Sequence, residues 1–458
     1  MPRRAGWYWL AGLWWIAGAA WAAEPVRVVP GPEDLPRVSP EMRTADFWIG
    51  RLEAPDEVLV SAGQAQAEAR AWQQAGYLID VFSLPDPVPR ELLREWLRSD
   101  IPYLRRVGLY GRQGQRLGEA DYRRIIDNLA LAKVRAGTPL AFGLAVRRTP
   151  LRLFPTEETA TAKPLDLEFN QLVHTALRFA EPVAILHASQ DQRWWFVAAE
   201  AGRGWVLAED IARAPDPKMV REYALRANVK IVDRTARLRG DDGALWTEAV
   251  EMGCELAPGS SGESVLAPRR KADGGLSLAP ARVEPSEAAA AGGWPCTRRN
   301  LLILAFRLLD APYGWGGESG FGDCSEIIRR MGLACGLRLP RSTADLSRAL
   351  AGEELPAGPR AKAARLAAAR GGADLILLPG HVMLAVGTVE GRLFVVHNLY
   401  GIQARDADGD FIRRLARVVV SDLSLGAGSR KGSLEQRASR LLSINRQGDA
   451  GKLKTDKE

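Results

Sequence analysis

The sequence is poor in the residues that enzymes most often use as ligands and bases, with four histidines and four cysteines among 458 residues. None of them stands in a CxxC, CxH or HExxH spacing, which excludes the common zinc motifs. We therefore expect neither a metal site nor a cofactor. Long apolar runs are also scarce, because one covers residues 6–20 and no second one follows. The chain thus offers few places for catalysis and few for a membrane span.

The N-terminus has the pattern of a secretory signal peptide. A short basic region, Met1–Arg4, precedes the tryptophan-rich apolar run, and Ala20-Trp21-Ala22 supplies an A-x-A cleavage motif. The run is too short to span a membrane comfortably, and no cysteine follows it to carry a lipid anchor. We predict a signal peptide over residues 1–22 and a soluble exported protein, periplasmic or associated with the cell envelope.

The net charge of +7 suggests a nucleic-acid partner, but the position of the charges argues against one. Arg3 and Arg4 lie in the signal peptide, and the segment 430–458 carries eight basic and four acidic side chains. The body between them is close to neutral, so we expect no nucleic-acid partner. The segment 426–458 is predicted to be a basic, disordered tail that could contact anionic wall or membrane surfaces.

Cys324 has the pattern of a reactive thiol at the start of a helix. Asp323 is a favourable N-cap residue, and Gly336 is well placed to end the helix. Apolar side chains recur behind the thiol at helical spacing, at Ile327, Ile328, Met331 and Cys335. A thiol in a first helical turn feels the positive end of the helix dipole, which lowers its pKa and favours the thiolate. A backbone N–H there could also hold an oxyanion.

Two of the four histidines lie on a predicted hairpin after this helix. If the hairpin turns about Val389, His381 and His397 are direct cross-strand neighbours with Cβ atoms roughly 5 Å apart. A one-residue slip would move one of them to the other face. In this register His381 takes the proton from Cys324, and His397 orients His381. The alternative is that each is an ordinary buried residue, the interpretation we favour for Cys335, His174 and His187.

The motifs around these residues resemble those of the NlpC-type cell-wall cysteine peptidases. They are Tyr-Gly-Trp-Gly-Gly (313–317), Asp-Cys-Ser (323–325), Leu-Pro-Arg-Ser-Thr (339–343), Gly-His-Val (380–382) and Val-His (396–397). The resemblance implies a papain-like α+β domain with Cys324 as nucleophile, His381 as base and His397 as orienting residue. It also implies hydrolysis of the γ-D-glutamyl bond to a diamino acid in peptidoglycan stem peptides.

The resemblance also implies a substrate groove lined by Tyr313, Asp323 and Ser325. Glu326 departs from the family pattern, which often has a small residue at this position. A carboxylate so close to Cys324 could raise the pKa of the thiol or reshape the groove. The alternatives are another cell-wall amidase with the same thiol chemistry and a catalytically inactive wall-binding protein.

The preceding part of the chain predicts binding modules. Short alternating strands, at Ala141–Val146, Val183–Leu186, Trp194–Val197 and Gly204–Val206, predict a small β-barrel. Arg147–Arg152 and Arg203–Val206 resemble a bacterial SH3-like domain. In relatives such a module closes one end of the groove, so that the L-Ala of the substrate must carry a free ammonium. A buried ammonium needs a carboxylate, which we expect among Glu200, Glu209 and Asp210.

We predict an α+β multidomain protein. Its domains are a signal peptide (1–22), a helical N-terminal stabilising region (23–135), two SH3-like β-barrels (136–214 and 215–287), a papain-like α+β catalytic domain (288–425) and the basic tail (426–458). Residues 288–293 are predicted to be a linker. Cys254 and Cys296 could form a disulfide in an oxidising compartment, and two free buried thiols are the equal alternative.

Overall fold

The computed structural model describes residues 27–444. The predicted signal peptide and residues 445–458 of the predicted tail lie outside the described residues. The chain forms two compact units. The first unit contains residues 27–68, 295–313 and 327–444, and the second contains residues 69–294 and 314–326.

The first unit is built on a seven-stranded sheet, here called the histidine sheet. Its strands, in order across the sheet, are Val28–Pro30, Gly409–Asp422, Arg392–Asp406, His381–Val389, Asp374–Leu378, Arg440–Ser443 and Gly352–Glu354. All pairs are antiparallel except the edge pair of Val28–Pro30 with Gly409–Asp422. The strand Asp374–Leu378, inside the sheet, is buried at every position, which explains why Leu375–Leu378 is a continuous apolar run rather than an alternating one.

Helices complete the first unit. They are Ala45–Ile49, Arg298–Arg307, Thr343–Ala349, Pro359–Ala367 and Leu434–Arg437. The Thr297 side chain caps Arg298–Arg307 by accepting a hydrogen bond from Asn300 N at 3.2 Å. A two-stranded pair joins Val58–Val60 to Cys296–Thr297, so the segment 27–68 belongs to this unit through backbone pairing at two places. Two helices, Ala62–Gln74 and Cys324–Ala334, contribute residues to both units.

The second unit contains two β-modules. The strands of the first module are, in sheet order, Ile211–Arg213, Ala141–Ala145, Pro182–Ala188, Trp194–Ala199, Gly202–Leu207, Thr149–Arg152 and Val173–Leu177. Those of the second are Leu245–Glu251, Thr235–Gly240, Leu276–Glu284, Ser264–Arg270, Glu255–Pro258, Val229–Ile231 and Ala289–Ala291. Three of the four short strands predicted from sequence alternation lie within strands of the first module, and the fourth, Ala141–Val146, extends one residue beyond the observed strand Ala141–Ala145.

The remaining elements of the second unit are mostly short helices. They are Arg90–Arg98, Ile101–Val107, Glu119–Asp127 and Pro217–Arg226, with a two-stranded pair of Val88–Pro89 and Gly137–Thr138. Short 3₁₀ turns in the two units are Glu41–Arg43, Val81–Ser83, Leu131–Lys133, Ala208–Asp210, Ser286–Ala288 and Trp315–Gly320. One continuous apolar cluster extends from Val81 to Ala288 through both β-modules, so this unit has a shared core.

Two sequence expectations about chain segments are wrong. Residues 288–293 are not a linker, because Ala289–Ala291 pairs with Val229–Ile231 in the second module. Residues 426–444 are not a disordered tail, because Arg440–Ser443 inserts between two strands of the histidine sheet. Leu434, Leu441 and Leu442 are buried there. The burial of these apolar side chains offsets the conformational entropy that the segment loses on ordering, although its basic composition suggests disorder. Among residues 27–444, no helix is long and apolar enough to cross a membrane.

Candidate active site

His381 and His397 form a hydrogen-bonded pair on the histidine sheet. His381 Nε2 lies 2.8 Å from His397 Nδ1, and the ring planes are inclined by 63°. His397 Nε2 lies 3.1 Å from Ser421 Oγ on the neighbouring strand. The three side chains therefore form a polar chain across three adjacent strands, which fixes the orientation of the His381 ring.

His397 is fully buried within this chain. Burial, and then the nearby His381, holds the pKa of His397 well below its ordinary value of 6.5. Desolvation disfavours the charged imidazolium, and a neighbour that can itself become positive adds to the effect. His397 is therefore neutral at physiological pH, and can orient His381 without competing with it for a proton.

The register of the hairpin differs from the predicted one. Leu384 pairs with Val396, and continuing that pairing along the strand sets His381 opposite Leu399 rather than opposite His397. The prediction of direct cross-strand neighbours is therefore wrong by two residues. Because side chains alternate with a period of two, the shift keeps both imidazoles on one face.

A β-bulge is responsible for this shared face. Near the turn, Val389 pairs with Arg392, and the pairing shifts by one residue between Ala385 and Gly387. Without the bulge the turn register would place the two histidines on opposite faces. A Cβ on Gly387 would lie 2.9 Å from the ring of Trp48, so the close packing of Trp48 favours glycine at this position.

Cys324 begins the predicted helix, which spans Cys324–Ala334. Asp323 Oδ1 accepts hydrogen bonds from Glu326 N at 3.0 Å and from the Ser325 hydroxyl at 3.2 Å. At the other end Gly336 has a left-handed φ of 80°, and Leu337 N donates to Gly332 O at 2.7 Å. The predicted cap and stop of the helix are both observed. Cys324 lies in the second unit and the two histidines in the first.

The glycines before Cys324 allow a close backbone approach. Gly316 and Gly317 lie in the 3₁₀ turn Trp315–Gly320 with φ of 59° and 77°. A Cβ on Gly316 would lie 2.9 Å from Val173 Cγ1, and one on Gly317 would lie 3.0 Å from Ala176 Cβ. Glycine is therefore required both by the backbone conformation and by the contact with the strand Val173–Leu177 of the first module.

The residues predicted to line the groove have other contacts as well. Tyr313 packs edge-on against Tyr400, with ring centroids 5.9 Å apart, and its N–H donates to Ala416 O at 2.8 Å. Asp323 and Ser325 are buried and take part in the helix cap. A role in substrate binding for these three residues stays a prediction.

Glu326, the departure from the family pattern, is buried and paired. Its Oε1 lies 3.5 Å from Arg148 Nη2 in the second unit. No catalytic motif in the sequence marks Arg148. Its other carboxylate partner, Glu251, is 103 residues away, and such long-range pairs leave no local signal.

The three carboxylates expected to hold a substrate ammonium are already paired with arginines. Arg178 Nη2 lies 3.7 Å from Glu200, while Arg147 lies 2.7 Å from Asp210 and 3.8 Å from Glu209. An ammonium would have to compete with these guanidinium groups.

The remaining cysteines are buried, and His187 contacts a backbone carbonyl. All four cysteines are buried and in the reduced state, so of the two alternatives for Cys254 and Cys296 the structure contains the buried thiols. His187 Nε2 lies 3.1 Å from Leu129 O, and its ring packs near Trp205. Within the described range 27–444, no three His, Cys, Asp or Glu side chains group as metal ligands.

Comparisons with known proteins extend these observations. Residues 159–207 match the family model of the SH3 domain of SH3b1 type. An NlpC/P60 endopeptidase from Photobacterium damselae subsp. piscicida is 16% identical with a TM-score of 0.71, and the match covers 92% of this chain and 98% of that one. No curated protein matches the sequence.

Two more solved structures are similar over part of the chain. One is an NlpC/P60 family protein from Bacillus cereus ATCC 10987, 16% identical, covering 65% of this chain and 98% of that one with a TM-score of 0.44. Another is NlpC2 from Trichomonas vaginalis, 14% identical, covering 62% of this chain and 96% of that one with a TM-score of 0.23.

The Photobacterium match shows that the chain has the NlpC/P60 fold, as the motifs predict. The chain is a mixed α+β, multidomain protein with several sheets. Its first β-module contains an SH3 domain of SH3b1 type.

Proposed function

We propose that the protein is an exported cysteine endopeptidase that hydrolyses the γ-D-glutamyl bond to a diamino acid in peptidoglycan stem peptides. The observation that carries the proposal is the chain of Ser421, His397 and His381 on the histidine sheet. The match to the fold of an NlpC/P60 endopeptidase supports it, as does the thiol of Cys324 at the start of a capped helix.

In the proposed mechanism, neutral His397 holds the ring of His381 through its Nδ1. When His381 Nε2 donates that hydrogen bond, His381 Nδ1 is the nitrogen whose lone pair can accept the thiol proton of Cys324. The thiolate then attacks the carbonyl carbon of the γ-glutamyl amide, and a tetrahedral oxyanion forms. The backbone N–H at the start of the helix is the proposed donor to this oxyanion.

Collapse of the tetrahedral species breaks the carbon–nitrogen bond. The proton held by His381 passes to the leaving amine of the diamino acid, and a thioester to Cys324 remains. Water then gives a proton to His381 and attacks the thioester, which releases the γ-D-glutamate carboxylate and restores the thiol. Tyr313, Asp323 and Ser325 are proposed to line the groove, and no metal or cofactor takes part.

The proposal includes the location and the modules. The signal peptide predicted at residues 1–22 would deliver the protein to the periplasm or cell envelope. The helical region and a second SH3-like barrel, predicted for residues 23–135 and 215–287, are part of the proposed arrangement. Peptidoglycan stem peptides are the proposed partners. The C-terminal residues 445–458 are proposed to bind anionic wall or membrane surfaces weakly.

Mass spectrometry of the products tests the proposal. The protein is incubated with L-Ala-γ-D-Glu-diaminopimelate, and we expect L-Ala-γ-D-Glu and free diaminopimelate as products. His381→Ala should abolish turnover, His397→Ala should reduce it less, and EDTA should leave it unchanged. Cleavage of a different amide bond would indicate another cell-wall amidase. Binding of the peptide with no product would indicate a wall-binding protein without activity.

A further inference from the structure

A buried charged cluster connects both β-modules to the segment that carries Cys324. Arg148 Nη1 lies 2.7 Å from Glu251 Oε1, and Arg148 Nη2 lies 3.5 Å from Glu326 Oε1. The side chains of Arg148, Glu251 and Glu326 are 9%, 4% and 1% exposed. All three belong to the second unit.

The members of the cluster come from distant parts of the chain. Arg148 lies in the connection between the strands Ala141–Ala145 and Thr149–Arg152 of the first module. Glu251 is the last residue of the strand Leu245–Glu251 of the second module. Glu326 lies in the first turn of the helix that begins at Cys324. One guanidinium group therefore contacts both modules and the turn that carries the thiol.

Arg148 also holds the loop that leads to Cys324. Its Nε and Nη2 donate to Gly317 O at 3.3 and 3.2 Å, and Nη2 donates to Phe321 O at 3.3 Å. These carbonyls mark both ends of the loop 317–321. A planar guanidinium has five N–H donors in a fixed forked geometry, so it can donate to two carbonyls and two carboxylates at once. A lysine ammonium has three donors and lacks this geometry.

The charges require this arrangement. Loss of the guanidinium would remove a cation that both buried carboxylates contact, which favours their separation, their protonation or the entry of water. Burial lowers the pKa of Arg148, but Glu251 and Glu326 offset this, so that its pKa lies above the ordinary value. Arg148 therefore stays charged and compensates Glu326, which stands two residues after Cys324.

We propose that Arg148 is a positioning residue for Cys324, which fixes the loop 317–321 and neutralises Glu326 beside the thiol. This inference rests on the proposed function, in which Cys324 is the nucleophile. It implies that the effect of replacing Arg148 in the first β-module depends on the presence of Glu326 after Asp-Cys-Ser, and the reverse. It also makes the β-modules necessary for the reactivity of the thiol.

Alkylation of Cys324 by iodoacetamide tests the inference without a substrate. The rate at Cys324 is measured by peptide mapping relative to Cys335, which follows the same helix. We expect Arg148→Met to lower this ratio by about tenfold, the effect of a rise of one unit in the pKa of the thiol. The double variant Arg148→Met with Glu326→Gln should recover most of the ratio, because the negative charge beside the thiol is gone.

Turnover provides a second readout. With the peptide substrate, Arg148→Met should lower kcat by about 100-fold with little change in KM, as expected for a misplacement of about 1 Å. Arg148→Lys keeps the positive charge but loses the forked set of N–H donors. Its alkylation ratio should therefore stay near that of the wild type while kcat falls. The matched control is Arg193→Met, which removes an exposed ion pair with Glu157 on the same module and should change neither value.

The outcomes separate this inference from the proposed function. If Arg148→Met does not fold, Arg148→Lys carries the test, and wild-type kcat in that variant would overturn the positioning role. An unchanged alkylation ratio in folded Arg148→Met, or no recovery in the double variant, would overturn the charge compensation. If the wild type alkylates selectively at Cys324 but cleaves no peptide, the proposed function fails while the alkylation test of Arg148 still stands.

Discussion

At the scale of single residues, His397 has an environment that suits the orienting role proposed for it. It is fully buried, it contacts His381 on one ring nitrogen and Ser421 on the other, and its pKa is well below the ordinary value. A neutral imidazole in this position costs the protein stability when the solution becomes acidic. The reason is that the unfolded chain gains a proton that the folded chain does not take up.

The sign of this effect gives a prediction for the pH dependence of stability. The contribution of His397 is complete above the unfolded pKa of about 6.5, and it decreases as the pH falls below that value. The wild type should therefore lose up to about 1.4 kcal/mol per pH unit more than His397→Gln on acidification. Denaturant unfolding of both proteins between pH 8 and pH 5 measures the difference. Parallel curves below pH 6.5 would mean that His397 is protonated in the folded protein.

At the scale of elements, the ends of the Cys324 helix could be predicted from the local sequence, whereas the register of the histidine hairpin could not. The helix has local signals at both ends, Asp323 and Gly336, and both act as predicted. The hairpin register depends on the bulge at Gly387, and Trp48, which packs there, lies far away in the sequence. The strands Ala289–Ala291 and Arg440–Ser443 were likewise missed, because their partners are remote along the chain. Local capping chemistry could be predicted, and long-range pairing could not.

The helix itself gives a prediction about thiol reactivity. Cys324 and Cys335 are 8% and 9% exposed, so accessibility alone would give similar alkylation rates. Cys324 lies at the positive end of the helix, and Cys335 follows its negative end. Iodoacetamide should therefore label Cys324 faster than Cys335 near neutral pH, and faster than Cys254 or Cys296. Equal rates at Cys324 and Cys335 would show that the helix position does not activate the thiol.

The bulge gives a prediction about packing. Gly387→Ala places a methyl group 2.9 Å from the ring of the buried Trp48, and overpacking of this kind costs about 1–3 kcal/mol. The cost should be smaller in a Trp48→Leu background, because the smaller side chain leaves room for the methyl group. A double-mutant cycle by chemical denaturation measures this coupling. The same cost in both backgrounds would place the strain in the backbone rather than in the contact.

At the scale of the whole molecule, the sequence motifs predicted the fold of the protein and the SH3 domain, but not how its charges are compensated. The NlpC/P60 fold and the SH3b1-type domain are confirmed by the comparisons. The ion pairs of Arg148 join residues of the chain that are remote in sequence. They place a cation beside the buried glutamate near the thiol, which the motif alone does not predict.

The resemblance to relatives with an SH3-like module also predicts a limit on the size of the substrate. A groove closed at one end has no room for glycan, so free L-Ala-γ-D-Glu-diaminopimelate should be cleaved much faster than the same stem on intact peptidoglycan. Mass spectrometry of both digests at equal stem concentration compares the two rates. Equal rates would indicate an open groove and a protein that remodels the wall rather than one that recycles its peptides.

The identity of the nucleophile is tested by the hydrolysis of L-Ala-γ-D-Glu-diaminopimelate by the wild type and by Cys324→Ala, measured side by side. The thiol mechanism predicts release of diaminopimelate by the wild type and a loss of more than about a thousandfold in Cys324→Ala. Circular dichroism should show that the variant keeps the fold. Turnover by folded Cys324→Ala at the wild-type rate would show that another group is the nucleophile.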